Sequence, residues 1–471
     1  MENILFWFRN DLRLHDNEAF LLASQKGRVV PVYVIDERQL EKNSLGFVRT
    51  GYFRTQFLLE SLRDLKQSLQ AKGSDLIVLT GKPEEIISRI ADDLKVSHVF
   101  ASKEVTQEET SVESALSQKL KPLNIDIDLI WGSTLYHARD LPFQIHYIPD
   151  VFTDFRKKIA NTAKVRPCFE TVGQLETIID IEIPEIPTME DLGFKVKPHD
   201  ERAAHPFKGG ETEGLKRLNY YLWDKNLIQN YKGTRNEMVG SDYSTKFSAW
   251  LSMGCLSPRQ IYWEVNRYEQ EVAANESTYW LIFELLWRDY FHFIALKFGI
   301  RLFKRSGIKH DLVKRWKKNK DFFNKWVNGM TGVPIVDACM RELKYTGYMS
   351  NRGRQIVSSF FTKDLGVEWW WGALYFESQL IDYDVCSNWG NWNYIAGIGT
   401  DPREDRYFNP VIQSKKYDTE CQFIKLWLPE LKEVSSDHLH HFMNVETGHQ
   451  ISASAGDYPK VPIIKSKRWM S

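Results

Sequence analysis

The chain has little cysteine and no arrangement of it that would hold a metal or staple a fold. Its five cysteines (Cys168, Cys255, Cys339, Cys386 and Cys421) are scattered, odd in number and form no CxxC pair. That argues against a disulfide frame or a cysteine-based zinc site and for a reducing compartment. No apolar run reaches the ~18 residues that a spanning helix needs, so no membrane segment is expected. The opening residues Met1-Glu2-Asn3-Ile4-Leu5-Phe6-Trp7 enter a strand-like run at once. They show no basic n-region, h-region or Arg/Ser-rich transit segment, which makes the cytoplasm the expected location. There is no fixed-period repeat and no low-complexity tract. The formal net charge of +0 argues against a simple nucleic-acid coat protein. No G-x-G-x-x-G follows the first strand, which argues against a dinucleotide site of the usual Rossmann kind there.

Aromatic residues, in contrast, are abundant. They make up 13% of the chain and include 16 Trp. Trp buries a large area but needs a partner for its N–H, so a surplus marks sites as well as core. The charge is also uneven: residues 301–365 hold 15 Lys/Arg against 5 Asp/Glu, including Lys314-Arg315-Trp316-Lys317-Lys318. Basic residues interleaved with aromatics suit a surface that tracks phosphates and stacks bases. The same pattern also fits a solvated helix face over ordinary core.

A chain of 471 residues suggests about two to four domains. Over residues 1–131, short apolar runs (Ile4–Phe8, Val29–Ile35, Leu76–Leu79, Val99–Ala101, and Ile125–Trp131) alternate with helical stretches such as Tyr52–Gln70. Strand–helix alternation predicts a doubly wound parallel sheet covered on both faces. Asp16 or Asn17 is placed to cap the first helix. Residues 132–210 read as a long connector punctuated by prolines. Residues 211–435 read as a mainly helical domain, with helices over Thr278–Phe298 and from an Asn351 cap to Leu365. Residues 436–471 read as a polar, loosely ordered tail.

Five stretches of the helical half carry candidate chemistry. Tyr231 and Arg235 precede Ser244-Thr245-Lys246-Phe247-Ser248, whose hydroxyls and backbone N–H groups suit a phosphate, although such clusters are also ordinary caps and turns. In Glu284-Leu285-Leu286-Trp287-Arg288, helical spacing puts Glu284, Trp287 and Arg288 on one face, fit to read a planar polar ligand; equally, Glu284 and Arg288 could pair over a core Trp. Asn351-Arg352-Gly353-Arg354-Gln355 sets two Arg in a first helical turn, against the macrodipole, which hints at a ligand or a buried acid. Asp382 to Tyr394 packs acids, three Asn and four aromatics into 13 residues but contains no His, so no metal-ligand pattern follows. Phe408-Asn409-Pro410 and its surroundings read only as turn and cap.

Together with Phe6-Trp7-Phe8-Arg9-Asn10-Asp11-Leu12-Arg13, these blocks resemble, in order and spacing, the photolyase/cryptochrome family. Leu141-Pro142-Phe143, Pro149 to Lys157 and Ser387 to Tyr394 are similar to its DASH cryptochromes. The resemblance implies an α/β antenna domain followed by an all-helical domain that folds a bent FAD. Tyr231, Ser244, Thr245, Lys246, Phe247 and Ser248 match its phosphate-side contacts, and Arg288 is placed with the cofactor contacts. Arg354 matches the Arg that pairs with an acid under the flavin, Asp382 that acid, Asp384 the acid at the flavin edge, and Asn388 the residue facing N5. Glu284, Trp287, Asn351 and Arg352 match the lesion pocket of cyclobutane-dimer photolyases. Trp392, Trp369 and Trp316 match the tryptophan chain that reduces the flavin from the surface. Glu104 matches an acid that binds a folate antenna, 5,10-methenyltetrahydrofolate.

The implied activity is light-driven repair of pyrimidine dimers in DNA by a monomer, with blue-light signalling as the alternative. Gln355 stands where duplex-repairing members usually carry Met, and Tyr394 where they carry a second stacking Trp. Losing one stacking platform weakens dimer capture by roughly 1–3 kcal/mol. That is comparable to the few kcal/mol of flipping a dimer from duplex, so single-stranded DNA is the expected substrate.

Overall fold

The computed structural model describes residues 2–176, 182–403, 405–442 and 457–469. Its first part is a parallel sheet of β1 (Asn3–Phe8), β2 (Arg28–Asp36), β3 (Ile77–Gly81), β4 (Val96–Ser102) and β5 (Asp126–Ile130), ordered β3-β2-β1-β4-β5. Between them run α1 (Glu18–Lys26), α2 (Tyr52–Gln70), α3 (Pro83–Asp93) and α4 (Gln107–Leu120). Strand side chains alternate faces, and both faces are dry. Leu5 and Trp7 join one core with Ile86, Ile87 and Leu116 of α3 and α4. Ile4, Phe6 and Phe8 join another with Phe20 of α1 and Phe57 and Leu62 of α2, continuous with the helical half. That is why the strands read as unbroken apolar runs. Asn17 caps α1 by accepting from Phe20 N (3.1 Å).

The connector is more ordered than its prolines suggest. It forms α5 (Phe152–Thr162), whose Phe152, Phe155 and Ile159 are buried. Among the described residues thirteen further α-helices follow: α6 (Glu211–Asn219), α7 (Tyr231–Thr234), α8 (Ser248–Ser252), α9 (Pro258–Glu271), α10 (Glu276–Phe298), α11 (Lys320–Val327), α12 (Pro334–Thr346), α13 (Asn351–Ser359), α14 (Trp369–Gln379), α15 (Val385–Ala396), α16 (Pro410–Tyr417), α17 (Gln422–Trp427) and α18 (Ser436–His440). The cap of α13 is Ser350, which accepts from Gly353 N (3.0 Å), so Asn351 is the first helical residue rather than the cap. The tail also departs from expectation. Residues 443–456 lie outside the described residues, but Tyr458 is buried and donates to Asp337 (2.7 Å), and Trp469 is buried against Phe360. Tyr458 and Trp469, with Ile463 N donating to Thr331 O (2.8 Å), dock a segment whose composition reads as polar. Among the described residues no helix is long and apolar enough to cross a membrane.

One buried acid ties α10 to the connector. Asp289 accepts from Leu135 N (2.9 Å) and Tyr136 N (2.8 Å), and burial pushes its carboxyl up to about 6 against those two donors. Asp289→Asn leaves one of the two N–H groups facing an amide NH2. A lost hydrogen bond to a charged group is worth about 1.5–3 kcal/mol. Denaturant unfolding at neutral pH should show a loss of that size, and no change in midpoint would count against this role.

Candidate functional site: a buried cofactor cradle, an aromatic pocket and a cleft at the sheet edge

The loop before α8 is held by a residue the motif reading missed. Arg217 on α6 donates to the carbonyls of Thr245, Ser241 and Ser244 (3.0 Å each) and to Asp242 (3.2 Å). With its carbonyls drawn onto one guanidinium, the loop leaves the Ser244, Thr245 and Lys246 N–H groups without an acceptor among the described residues. Lys246 sits at φ +62°. Its buried ammonium makes no hydrogen bond and lies over the Tyr243 ring (3.1 Å). Burial drives that ammonium well below its usual value, against the attraction of Glu342, itself pushed up to about 8. N–H groups, hydroxyls and the Lys246 amine gathered on one loop suit a phosphate. Tyr231 and Phe247 close it, each packed on Tyr221 (6.4 and 6.2 Å between ring centres).

From the cradle a continuous path leads to the acids. Lys246 lies 5.0 Å from the Tyr348 ring, and Arg354 5.8 Å from the same ring. Arg354 donates to both oxygens of Asp382 (2.9 and 2.8 Å) and to Met349 O. Asp384 caps α15 through Ser387 N (2.6 Å) and pairs with His292 (3.3 Å). Burial opposes its charge, but His292, Arg288 and Ser387 outweigh burial and hold the carboxyl well below the usual range. Asn388 is buried and donates to Ala373 O (3.1 Å), which fixes its amide orientation.

His292 also answers the absence of histidine in the 382–394 stretch, since α10 brings it beside Asp384 and Cys386. Its Nδ1 bonds Arg288 O (3.0 Å), so Nε2 faces the carboxylate. With the Arg288 guanidinium adjoining and burial raising the Cys386 thiol well above its usual value, the trio reads as a carboxylate held by an imidazole beside a thiol.

The face shared by Glu284, Trp287 and Arg288 divides in the structure. Glu284 pairs with Arg235 (2.6 Å) rather than Arg288. Trp287 stacks one face on Phe152 of α5 (3.7 Å, 12°) and meets Tyr394 at a right angle (5.8 Å, 88°). Tyr394 is braced by Arg406, which donates to its hydroxyl (3.0 Å) and pairs with Asp401. Arg352 lies over Tyr417 (4.4 Å) and donates to Asn236 (3.0 Å), next to Arg235. Asn351 is exposed, and the buried Gln355 Oε1 has no protein partner. Arg288 points elsewhere, to Ser133 O and Leu251 O.

Arg288 and Asp384 share a cleft of about 670 Å³ with Glu104, lined also by Asn10, Arg54 and Tyr383. Asn10 follows β1 and Glu104 follows β4, the neighbours at which the strand order reverses; ligands of open α/β sheets bind at that crevice. Glu104 accepts from Asn10 (3.0 Å), and burial pushes its carboxyl up to about 7.

Of the three tryptophans, Trp392 and Trp369 are buried and Trp316 is half-buried. Trp392 lies directly on α14: a Cβ at Gly372 would come within 2.1 Å of its ring, so only glycine admits it. Trp369 begins the same helix one turn earlier and donates to Arg305 O (3.1 Å). Lys317, next to Trp316, pairs by backbone with Gly366 and Glu368 (2.8 and 3.1 Å).

Comparison with known proteins agrees with the fold. The DNA photolyase model matches residues 4–172, and the model for the FAD binding domain of DNA photolyase matches residues 280–470. The chain belongs to the photolyase/cryptochrome family, with a five-stranded parallel sheet leading into an all-helical FAD-binding domain. Its relatives place it with the DASH cryptochromes. It is 51% identical to cryptochrome DASH of Gloeobacter violaceus over 93% of this chain and 88% of that protein. It is 48% identical to that of Xenopus laevis over 99% and 90%. The solved Synechocystis cryptochrome superposes with a TM-score of 0.95 at 48% identity, covering 99% and 97% of the two chains. An archaeal photolyase from Sulfolobus tokodaii, described with two FAD molecules, gives 0.81 at 29% identity over 99% and 97%.

FAD fits the residues present: the Arg217-held loop offers donors for its phosphates, and Arg354, Asp382, Asp384 and Asn388 offer fixed polar groups for a planar ring. Arg217→Met should free the loop carbonyls and weaken FAD retention at least about tenfold, roughly one charged hydrogen bond's worth. Flavin absorbance per protein after dialysis measures it, and unchanged retention would contradict the cradle.

Proposed function

We propose that this protein is a blue-light-driven lyase that splits cyclobutane pyrimidine dimers, preferentially in single-stranded DNA. The observation that carries the reading is the right-angled wedge of Trp287 and Tyr394 with Glu284 close by. FAD, when bound and reduced, supplies a light-excited electron donor that opens the dimer and recovers the electron. The chain's residues do the rest. Trp287, stiffened from behind by Phe152, offers a rigid face on which a flipped dimer stacks. Glu284 reads the polar edge of the pyrimidines once it parts from Arg235, and Arg235 is then free for a phosphate. Arg352 and the basic 301–365 region hold the strand. Asn388 tolerates changes of flavin protonation because a neutral amide adds no charge. Trp392, Trp369 and Trp316 form the route by which the flavin is reduced from the surface.

The Glu284–Arg235 pair is also what favours the second reading, a blue-light receptor that binds nucleic acid without efficient repair. Illuminating reduced protein with dimer-containing oligothymidylate separates the two. Thymine absorbance should return, faster from single strands than from duplex; no return in either substrate overturns the repair reading. Tyr394→Trp should tighten capture of duplex dimers about tenfold, by restoring a platform worth roughly 1–3 kcal/mol. Equal binding by Tyr394→Trp and the parent would show that this platform does not set strand preference.

We further infer that the sheet-edge cleft takes 5,10-methenyltetrahydrofolate, with Glu104 as acceptor for pterin N–H groups. Cofactor released by denaturation would distinguish folate from a second flavin, as in the Sulfolobus protein. A carboxyl raised to about 7 stays protonated on the acid side of that value. Its contribution to folding stability therefore shrinks as pH rises from the ordinary carboxylate range to about 7, while its acceptor capacity grows. Folate affinity should accordingly rise through about pH 7 and lose this dependence in Glu104→Gln. A flat profile in the parent protein would remove Glu104 from that role.

A further inference from the structure

The segment from Lys304 to Lys320 that carries Trp316 is the most one-sidedly charged exposed stretch near the electron route. It holds Lys304, Arg305, Lys309, Lys314, Arg315, Lys317, Lys318 and Lys320 against Asp311 alone. Three of these cations are committed: Arg305 pairs with Glu368 (3.3 Å), Lys309 donates to Asp401 O (3.2 Å), and Lys314 donates to Ala396 O. Lys304, Arg315, Lys317 and Lys318 are exposed and form no ion pair among the described residues. Lys314 lies over the Trp316 ring (5.2 Å), so the half-buried indole sits inside a positive field.

We propose that this loop is a docking site for small anionic one-electron reductants, which deliver their electron to Trp316. The inference rests on the reading of Trp316 as the surface end of the electron route. When an electron has left Trp316 for the interior, the indole must be refilled from solution before the charge returns. One electron passes from the anion, for example ascorbate, to the oxidised indole, and the donor leaves as its one-electron-oxidised radical. If the indole N–H proton has meanwhile gone to water, a proton from the donor or from water replaces it. A positive surface raises the local concentration of anions and their encounter rate by ten- to a thousandfold, in a salt-dependent way. A neutral donor gains nothing from it.

The test follows recovery of the oxidised tryptophan by transient absorption after a light pulse on the flavin-containing protein. The donors are ascorbate and an uncharged hydroquinone. The rate constant with ascorbate should fall steeply between about 10 mM and 1 M salt, over which the screening length shrinks from about 30 to about 3 Å, and the hydroquinone rate should stay flat. R315E/K317E/K318E should slow ascorbate by about tenfold and leave hydroquinone unchanged. Iodide should quench Trp316 emission more than acrylamide does, with the excess lost in both the triple variant and Trp316→Phe; this readout needs no light-driven turnover. Equal salt slopes for the two donors, or an unslowed triple variant, would overturn the docking site while leaving the route intact. Unslowed photoreduction in Trp316→Phe would overturn the route and the docking site together.

Discussion

The buried pair of Arg354 and Asp382 is the interaction on which the helical half depends. It joins α13 to the turn before α15, and that turn sets Asp384 as a helix cap, Asn388 in the interior, and Trp389, Trp392 and Tyr394 along one helix. Asp382 is almost wholly buried, so an unpaired charge there would be costly; breaking one partner of a buried pair costs about 3–5 kcal/mol. The same pair explains why two arginines tolerate the first turn of α13. The macrodipole disfavours them there, but Arg354 has a carboxylate and Arg352 lies on the face of Tyr417.

A second theme is that one element serves several sites. Helix α10 sends Glu284 and Trp287 toward the aromatic pocket, Arg288 and His292 toward the cleft, and Asp289 into the connector. Asp384 stands where the cofactor residues and the cleft share a wall. The connector helix α5, in turn, reaches back to stiffen Trp287, so the pocket is completed by a segment whose prolines read as mere linkage.

The cost of assembling these sites is visible in groups that protein contacts alone leave unsatisfied. Lys246 and Gln355 Oε1 are buried without hydrogen bonds, and Glu342 is pushed toward neutrality beside Lys246. A folded protein keeps such groups where a ligand answers them. Lys246, Tyr243 and Glu342 each bury such an atom, with Lys246 lying over the Tyr243 ring and attracted by Glu342.

Much of this was legible in the linear sequence. Period-two and period-3.6 patterns depend only on which faces are dry, so the doubly wound sheet, the long α10 and the helical half followed from residue order alone. The family resemblance likewise named Arg354 with Asp382 and the cradle loop, because those residues are close in sequence to distinctive neighbours. Arg217 and Arg406 carried no such signal, because a lone Arg has no periodicity and each acts through side chains or carbonyls on another segment; Phe152 lies in a stretch the resemblance named, but its partner Trp287 is more than a hundred positions away. The choice of Arg235 over Arg288 as the partner of Glu284, and the arrival of His292 beside Asp384, were decided by helix packing. The sequence by itself determined the elements and the chemistry they carry, because local pattern and residue type are linear properties. Which of those chemistries meet was left to the tertiary structure, because only packing brings distant side chains within the few ångströms at which hydrogen bonds and charges act.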